Sequence, residues 1–177
     1  PDFGNQLNDT DVEVARYVLQ PVGGAISIDA ITVHVSNFAV ADEAFTGVRL
    51  FFDADGNGTI DPSEEISTSQ VPTGATDVLT FTETFVAPSA LIRTLQLRVN
   101  IGTNISVYGQ SYSFSIDPQV DIALTSPGTD SVSSTTVAVS NDITIRHSEN
   151  QLVPGLGNPT GARETYFEDN NFGALHF

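Results

Sequence analysis

Apolar side chains recur at every second position in short runs rich in valine, isoleucine and phenylalanine. Successive side chains of a strand point to opposite faces, so each such run buries one face and exposes the other. Leu95, Leu97, Val99 and Ile101 give the cleanest case. Val12, Val14, Tyr17 and Leu19 predict a first strand, and Val48, Leu50 and Phe52 another. Leu79 with Phe81 predicts one more. So do Tyr108 to Ile116, Val120 to Leu124, and the set Val137, Val139, Ile143 and Ile145. Within 25–36 the parity changes near Ala30, from Ile26 and Ile28 to Ile31, Val33 and Val35. That change predicts a bulge or a strand that switches partner. Turn residues punctuate the runs at Gly23-Gly24, Pro72-Thr73-Gly74, Pro88, Gly102, Pro127-Gly128 and Asn141-Asp142. No helical period exceeds a turn. The expected fold class is therefore all-β, an antiparallel sandwich, with a barrel as the alternative.

One stretch obeys a different rule. Residues 53–64 read Asp-Ala-Asp-Gly-Asn-Gly-Thr-Ile-Asp-Pro-Ser-Glu. Asp53, Asp55 and Asn57 stand at loop positions 1, 3 and 5, Gly58 at the sharp turn, Thr59 at the carbonyl position, and Asp61 and Glu64 at positions 9 and 12. This spacing matches the calcium loop of an EF-hand, in which oxygens wrap a hard cation. The candidate metal ligands are Asp53, Asp55, Asn57, Thr59, Asp61 and Glu64, and the expected cofactor is Ca2+. The approach is unusual, because Val48 to Phe52 reads as a strand where an EF-hand has a helix. Asp61-Pro62-Ser63-Glu64 also reads as an N-cap, a proline at N1 and a glutamate at N3, so a short helical turn should follow the loop. A single site suits permanent bracing better than signalling.

Charge and composition narrow the partners. A formal net charge of −16 argues against nucleic acid and anionic lipid, which call for cationic patches. No apolar run is long enough to span a bilayer as a helix. With zero cysteine there are neither disulfides nor thiolate sites, and a metal is the remaining staple for such a fold. Weak single calcium sites fill only at extracellular calcium levels, so the expected location is extracellular or at the cell surface.

The domain reading is a sandwich over 1–147 and, over 148–177, a linker with an aromatic extension. Gln151 to Gly161 is rich in glycine and proline. After it come Tyr166, Phe167, Phe172 and Phe177. Residues 164–177 are the candidate donor strand for self-association into a homopolymer, or a segment that docks on its own sheet.

The runs Ile28-Asp-Ala-Ile-Thr-Val-His-Val, Val48 to Asp61, and Leu79-Thr-Phe carry a resemblance. Over about Val12 to Ile145 the chain resembles an immunoglobulin-like or cadherin-like repeat of bacterial and archaeal surface proteins. The resemblance implies an immunoglobulin-like sandwich with an inserted loop, serving in a stalk, adhesin or fibre and not as an enzyme.

Other constellations are weaker. His34, His147 and His176 fall in different segments, and His34 alternates with Val33 and Val35 on the outward face. Gly109-Gln-Ser111-Tyr-Ser113 lacks the second glycine of a hydrolase elbow. Pro159 and the absence of lysine argue against a phosphate loop at 155–161. Asn8, Asn57 and Asn104 head formal glycosylation sequons. A carbohydrate-binding or adhesion module, with glycans as partners, is the alternative function. Tyr108 and Tyr112 share the parity of Phe114, which favours core packing over a sugar platform, and tryptophan is absent.

Overall fold

The computed structural model describes residues 5–6, 8–37, 44–73, 78–89, 91–126, 131–132 and 136–146. Mostly antiparallel strands build the chain, with almost no helix. In order these are β1 (Asn5–Gln6), β2 (Val12–Leu19), β3 (Ile26–Val35), β4 (Phe45–Phe52), β5 (Val78–Phe81) and β6 (Phe85–Ala87). Then follow β7 (Arg93–Ile101), β8 (Ser111–Tyr112), β9 (Phe114–Ile116), β10 (Ile122–Leu124), β11 (Ala138–Val139) and β12 (Ile143–Arg146). The helix α1 (Pro118–Asp121) is one turn long.

One sheet has the order β2-β7-β4. A larger sheet runs β10-β3-β9-β11, with β5 and β6 on the other side of β3, and a small sheet runs β1-β12-β8. Only β1 and β12 pair in parallel among these.

The apolar faces meet in one core. Phe45 of β4 packs on Tyr112 and Phe114, with ring centroids 5.0 and 5.7 Å apart. Phe52 lies 4.8 Å from Phe85. All three are tilted or edge-on pairings, the arrangement aromatic quadrupoles favour. The Tyr17 hydroxyl crosses between sheets and donates to the Phe114 carbonyl at 3.0 Å. Burial raises the Tyr17 pKa, so the phenol stays neutral and keeps its donor.

The parity change in β3 has a visible cause. Ile26 to Ile28 pair with β6 and Ile31 to His34 with β5, while on the other edge β10 gives way to β9. The register slips opposite Ile28 and Ala30. The strand switches partners where the apolar pattern switches face.

Four expectations need correction. The run from Tyr108 to Ile116 is not one strand. Ile105–Val107 is a 3-10 turn, Tyr108 lies in the turn after it, and Ser113 separates β8 from β9. Ser113 exchanges bonds with Ser36, its N–H reaching Ser36 Oγ at 2.6 Å, so the chain leaves one partner for another there.

Val120 does not belong to a strand. It sits exposed on α1, where Asp117 caps the Gln119 N–H at 3.1 Å and Pro118 takes N1. The same Asp-Pro signal that starts the turn after Asp61 operates here. Val137 and Val139 face solvent, and Ala138 between them turns inward. Finally, β4 begins at Phe45, earlier than the alternation from Val48 suggests, because a bulge between Phe45 and Gly47 resets the parity. The short strand β6 had no counterpart in the pattern.

Candidate metal centre

The acidic loop starts where β4 ends. The Asp53 N–H makes a last ladder bond to the Thr94 carbonyl at 2.9 Å, which buries Asp53 at the sheet margin. From there side-chain oxygens fold the backbone into successive tight turns. Asp53 Oδ1 accepts from the Gly56 N–H at 2.7 Å and Oδ2 from the Gly58 N–H at 3.2 Å. Asp55 Oδ1 accepts from the Asn57 N–H at 2.9 Å, and Asn57 Oδ1 from the Thr59 N–H at 2.6 Å. Short polar side chains that bond the backbone two residues on create these turns locally.

Pro62–Glu64 forms the expected helical turn, of 3-10 type. Glu64 spans the loop: Oε1 accepts from the Ala54 N–H at 2.8 Å and Oε2 from the Asp61 N–H at 3.0 Å. One side chain thereby closes the loop and caps its own turn. Glu65 points outward and meets Arg49 Nη1 at 3.5 Å.

Asp53, Asp55 and Glu64 form a group whose carboxylate oxygens lie within 4.8 Å of one another. Asp53 is buried, Glu64 half-buried and Asp55 exposed. Asp61 stands outside the group and is exposed, as are Asn57 and Thr59. Of the four carboxylates the spacing singles out, Asp53, Asp55 and Glu64 converge, while the Asn57 side chain holds a turn by accepting from the Thr59 N–H. All three converging donors are oxygens, with no imidazole or thiolate among them. This donor set fits a hard cation.

Two supports escaped the sequence pattern. Gly56 has φ +73°, and a Cβ there would meet Arg93 Nη1 at 1.9 Å. Arg93, the first residue of β7, thus lies against the loop backbone. Arg98 donates from Nη2 to the Ile60 carbonyl at 3.1 Å. Neither contact carries a local signature, since both residues come from a strand remote in sequence.

Elsewhere, His34 Nε2 and Asp121 Oδ1 are 3.1 Å apart, so α1 partly covers the outward face that His34 occupies. Tyr112 is fully buried against Phe45 and joins no surface platform. His147, His176, the linker and residues 164–177 lie outside the described residues. Among those described, no helix is long and apolar enough to cross a membrane.

Fold and site define an all-β chain carrying a convergent carboxylate group at a strand end. No protein-family model matches the sequence, and no curated protein or solved structure matches it significantly.

Proposed function

We propose that this chain is an extracellular structural module, an immunoglobulin-like sandwich braced by one calcium ion in loop 53–64, that self-associates into a fibre, stalk or layer. The convergence of Asp53, Asp55 and Glu64 at the end of β4 carries the reading. Three carboxylates so close repel one another, and a cation between them turns that repulsion into a clamp on the strand end. Asp53, Asp55 and Glu64 would supply carboxylate oxygens, joined by Asn57, Asp61 and the Thr59 carbonyl.

Calcium accepts six to eight oxygens in irregular geometry, whereas magnesium demands a near-octahedral shell and zinc prefers nitrogen and sulfur. A site of this single-loop kind with a dissociation constant of about 10⁻⁴–10⁻³ M fills in extracellular fluid. The role is mechanical and needs no catalytic group.

Calorimetry of the full chain with calcium and with chelator tests the bracing. At calcium about 100 times the dissociation constant, the stabilisation should be about 2.7 kcal/mol. At about 2–4 °C per kcal/mol for a domain of this size, the melting temperature should rise about 5–10 °C. An unchanged melting temperature over the millimolar range would remove the calcium claim. Electron micrographs of the protein in calcium should contain filaments or sheets. Dispersed particles alone would remove the assembly claim.

A further inference from the structure

We infer that an apolar groove beside the open edge of β2 is the acceptor for residues 164–177 of a second copy of this chain. The inference rests on the self-association reading and gives that contact an address. Tyr17, Val18 and Leu19 of β2 form one wall of the groove; Ile28, Leu124 and Val139 from the larger sheet form the other. Its volume is about 700 Å³.

Three observations converge on this occupant. First, β2 pairs with β7 alone among the described residues, so a row of backbone N–H and C=O groups borders the groove with no strand beside it. Such an edge is a template for an added strand, with alternate side chains entering pockets. Second, the rim is apolar and open to solvent. Val18 is 64%, Val22 86% and Val139 61% exposed. Among the described residues of the lining Arg16 is the one charged side chain, in a chain with 22 acidic residues. A wall whose described residues include no carboxylate suits a segment that carries Tyr166, Phe167, Phe172 and Phe177 along with Glu164, Glu168 and Asp169.

Third, the polarity of the fold suits a head-to-tail contact with a second copy. Strand β12 ends with Arg146 in register with Gln6, and the Ile145 N–H donates to the Gln110 carbonyl at 3.1 Å. That is the end of the molecule where β2 begins. The groove lies where β2 finishes, beside Ile116 and Pro118. Arg146, the last described residue, therefore lies at one pole while the groove opens at the other. A head-to-tail contact between unlike surfaces propagates into an open chain unless its rotation closes a ring.

Two full-length variants test this by sedimentation in calcium. One carries Val18→Asp with Val22→Asp on the exposed rim; the other carries Phe167→Asp with Phe172→Asp. Each alone should sediment as a monomer. Their equimolar mixture should form a one-to-one dimer and stop, because each supplies the part the other lacks. A mixture that stays monomeric, or a rim variant that polymerises like the unaltered chain, overturns the inference. Val139→Asp, also exposed but on the other sheet, should block assembly in the same way and guards against a folding defect in the β2 variant. If the unaltered chain polymerises and both rim variants do too, only the groove is wrong. If the unaltered chain is itself monomeric, the self-association reading fails and this inference falls with it.

Discussion

Arg98 Nη2 donates to the carbonyl oxygen of Ile60 at 3.1 Å, tying the central strand of one sheet to the acidic loop. The same guanidinium lies 4.6 Å over the Phe51 ring centroid and bonds Asp11 Oδ2 at 2.9 Å from Nη1. Phe51 is buried on the face opposite Phe52, because Arg98 and Arg49 cover it there. Arg98 thus serves as a lid for an aromatic ring and a strut for the loop.

Replacing Arg98 by methionine keeps the apolar stem and removes the strut. Hydrogen bonds to a charged group contribute about 1.5–3 kcal/mol each, and the ring contact about 0.5–1 kcal/mol. The expected loss is about 2–3 kcal/mol in urea unfolding, after discount for the partial exposure of Asp11. A loss below about 0.5 kcal/mol would mean the strut is ornamental.

Gly56→Ala should destabilise the loop for two separable reasons. Left-handed backbone costs an L-residue about 1–2 kcal/mol, and the new methyl would strike Arg93. Adding Arg93→Ala should relieve the clash and leave the backbone penalty, so the double variant should lose less than the sum of the singles. Strict additivity in a double-mutant cycle would refute the contact.

Glu64 has two roles that chemistry can part. Glu64→Gln retains one oxygen to accept backbone N–H groups but lacks a bidentate carboxylate; Glu64→Ala retains neither. In chelator the alanine variant should be lower by about 1–3 kcal/mol, and the glutamine variant should fall between it and the unaltered protein, because its amide nitrogen cannot accept the second backbone N–H. Both should lose most of the rise that calcium brings. A glutamine variant that still responds fully to calcium would take Glu64 out of the ligand set.

Acid should reveal the clamp at Glu83. Its Oε1 accepts from the Thr68 N–H and Oγ–H at 2.7 Å each, and these bonds, the backbone one first, hold its pKa below the ordinary glutamate value. A carboxyl depressed in the folded state stabilises above its unfolded pKa, and the gain is lost as pH falls through the folded one. Denaturation in chelator should show Glu83→Gln varying less with pH than the unaltered chain in the window below the usual glutamate range. Parallel curves would refute the assignment.

Much of the architecture is legible in one dimension. The period-two runs of β2, β3, β5 and β7 appear where the alternation places them, and the partner switch of β3 shows in its parity. Asp61-Pro62-Ser63-Glu64 announces its own turn, since capping needs only residues a few positions apart. The turns of the acidic loop are equally local, each made by a side chain bonding backbone two to five residues on.

What escaped depends on contacts the chain makes with distant parts of itself. A bulge at Gly47 hides Phe45, whose place is set by Tyr112 and Phe114 in other strands. The alternation in 120–124 and 137–139 looks like core, yet Val120, Val137 and Val139 are exposed, because hydropathy ranks residue types without saying which face finds a partner.

By itself the sequence determined the strand-forming class of the chain and the oxygen-rich loop at 53–64, because side-chain period and short-range turn bonds are properties of neighbours. Tertiary structure alone decided that Arg93 and Arg98 buttress that loop and that β2, paired with β7 alone among the described residues, borders a groove. Those outcomes follow from the register of β7 against β2 and β4 and from the order of strands in the sheet, which no local spacing encodes.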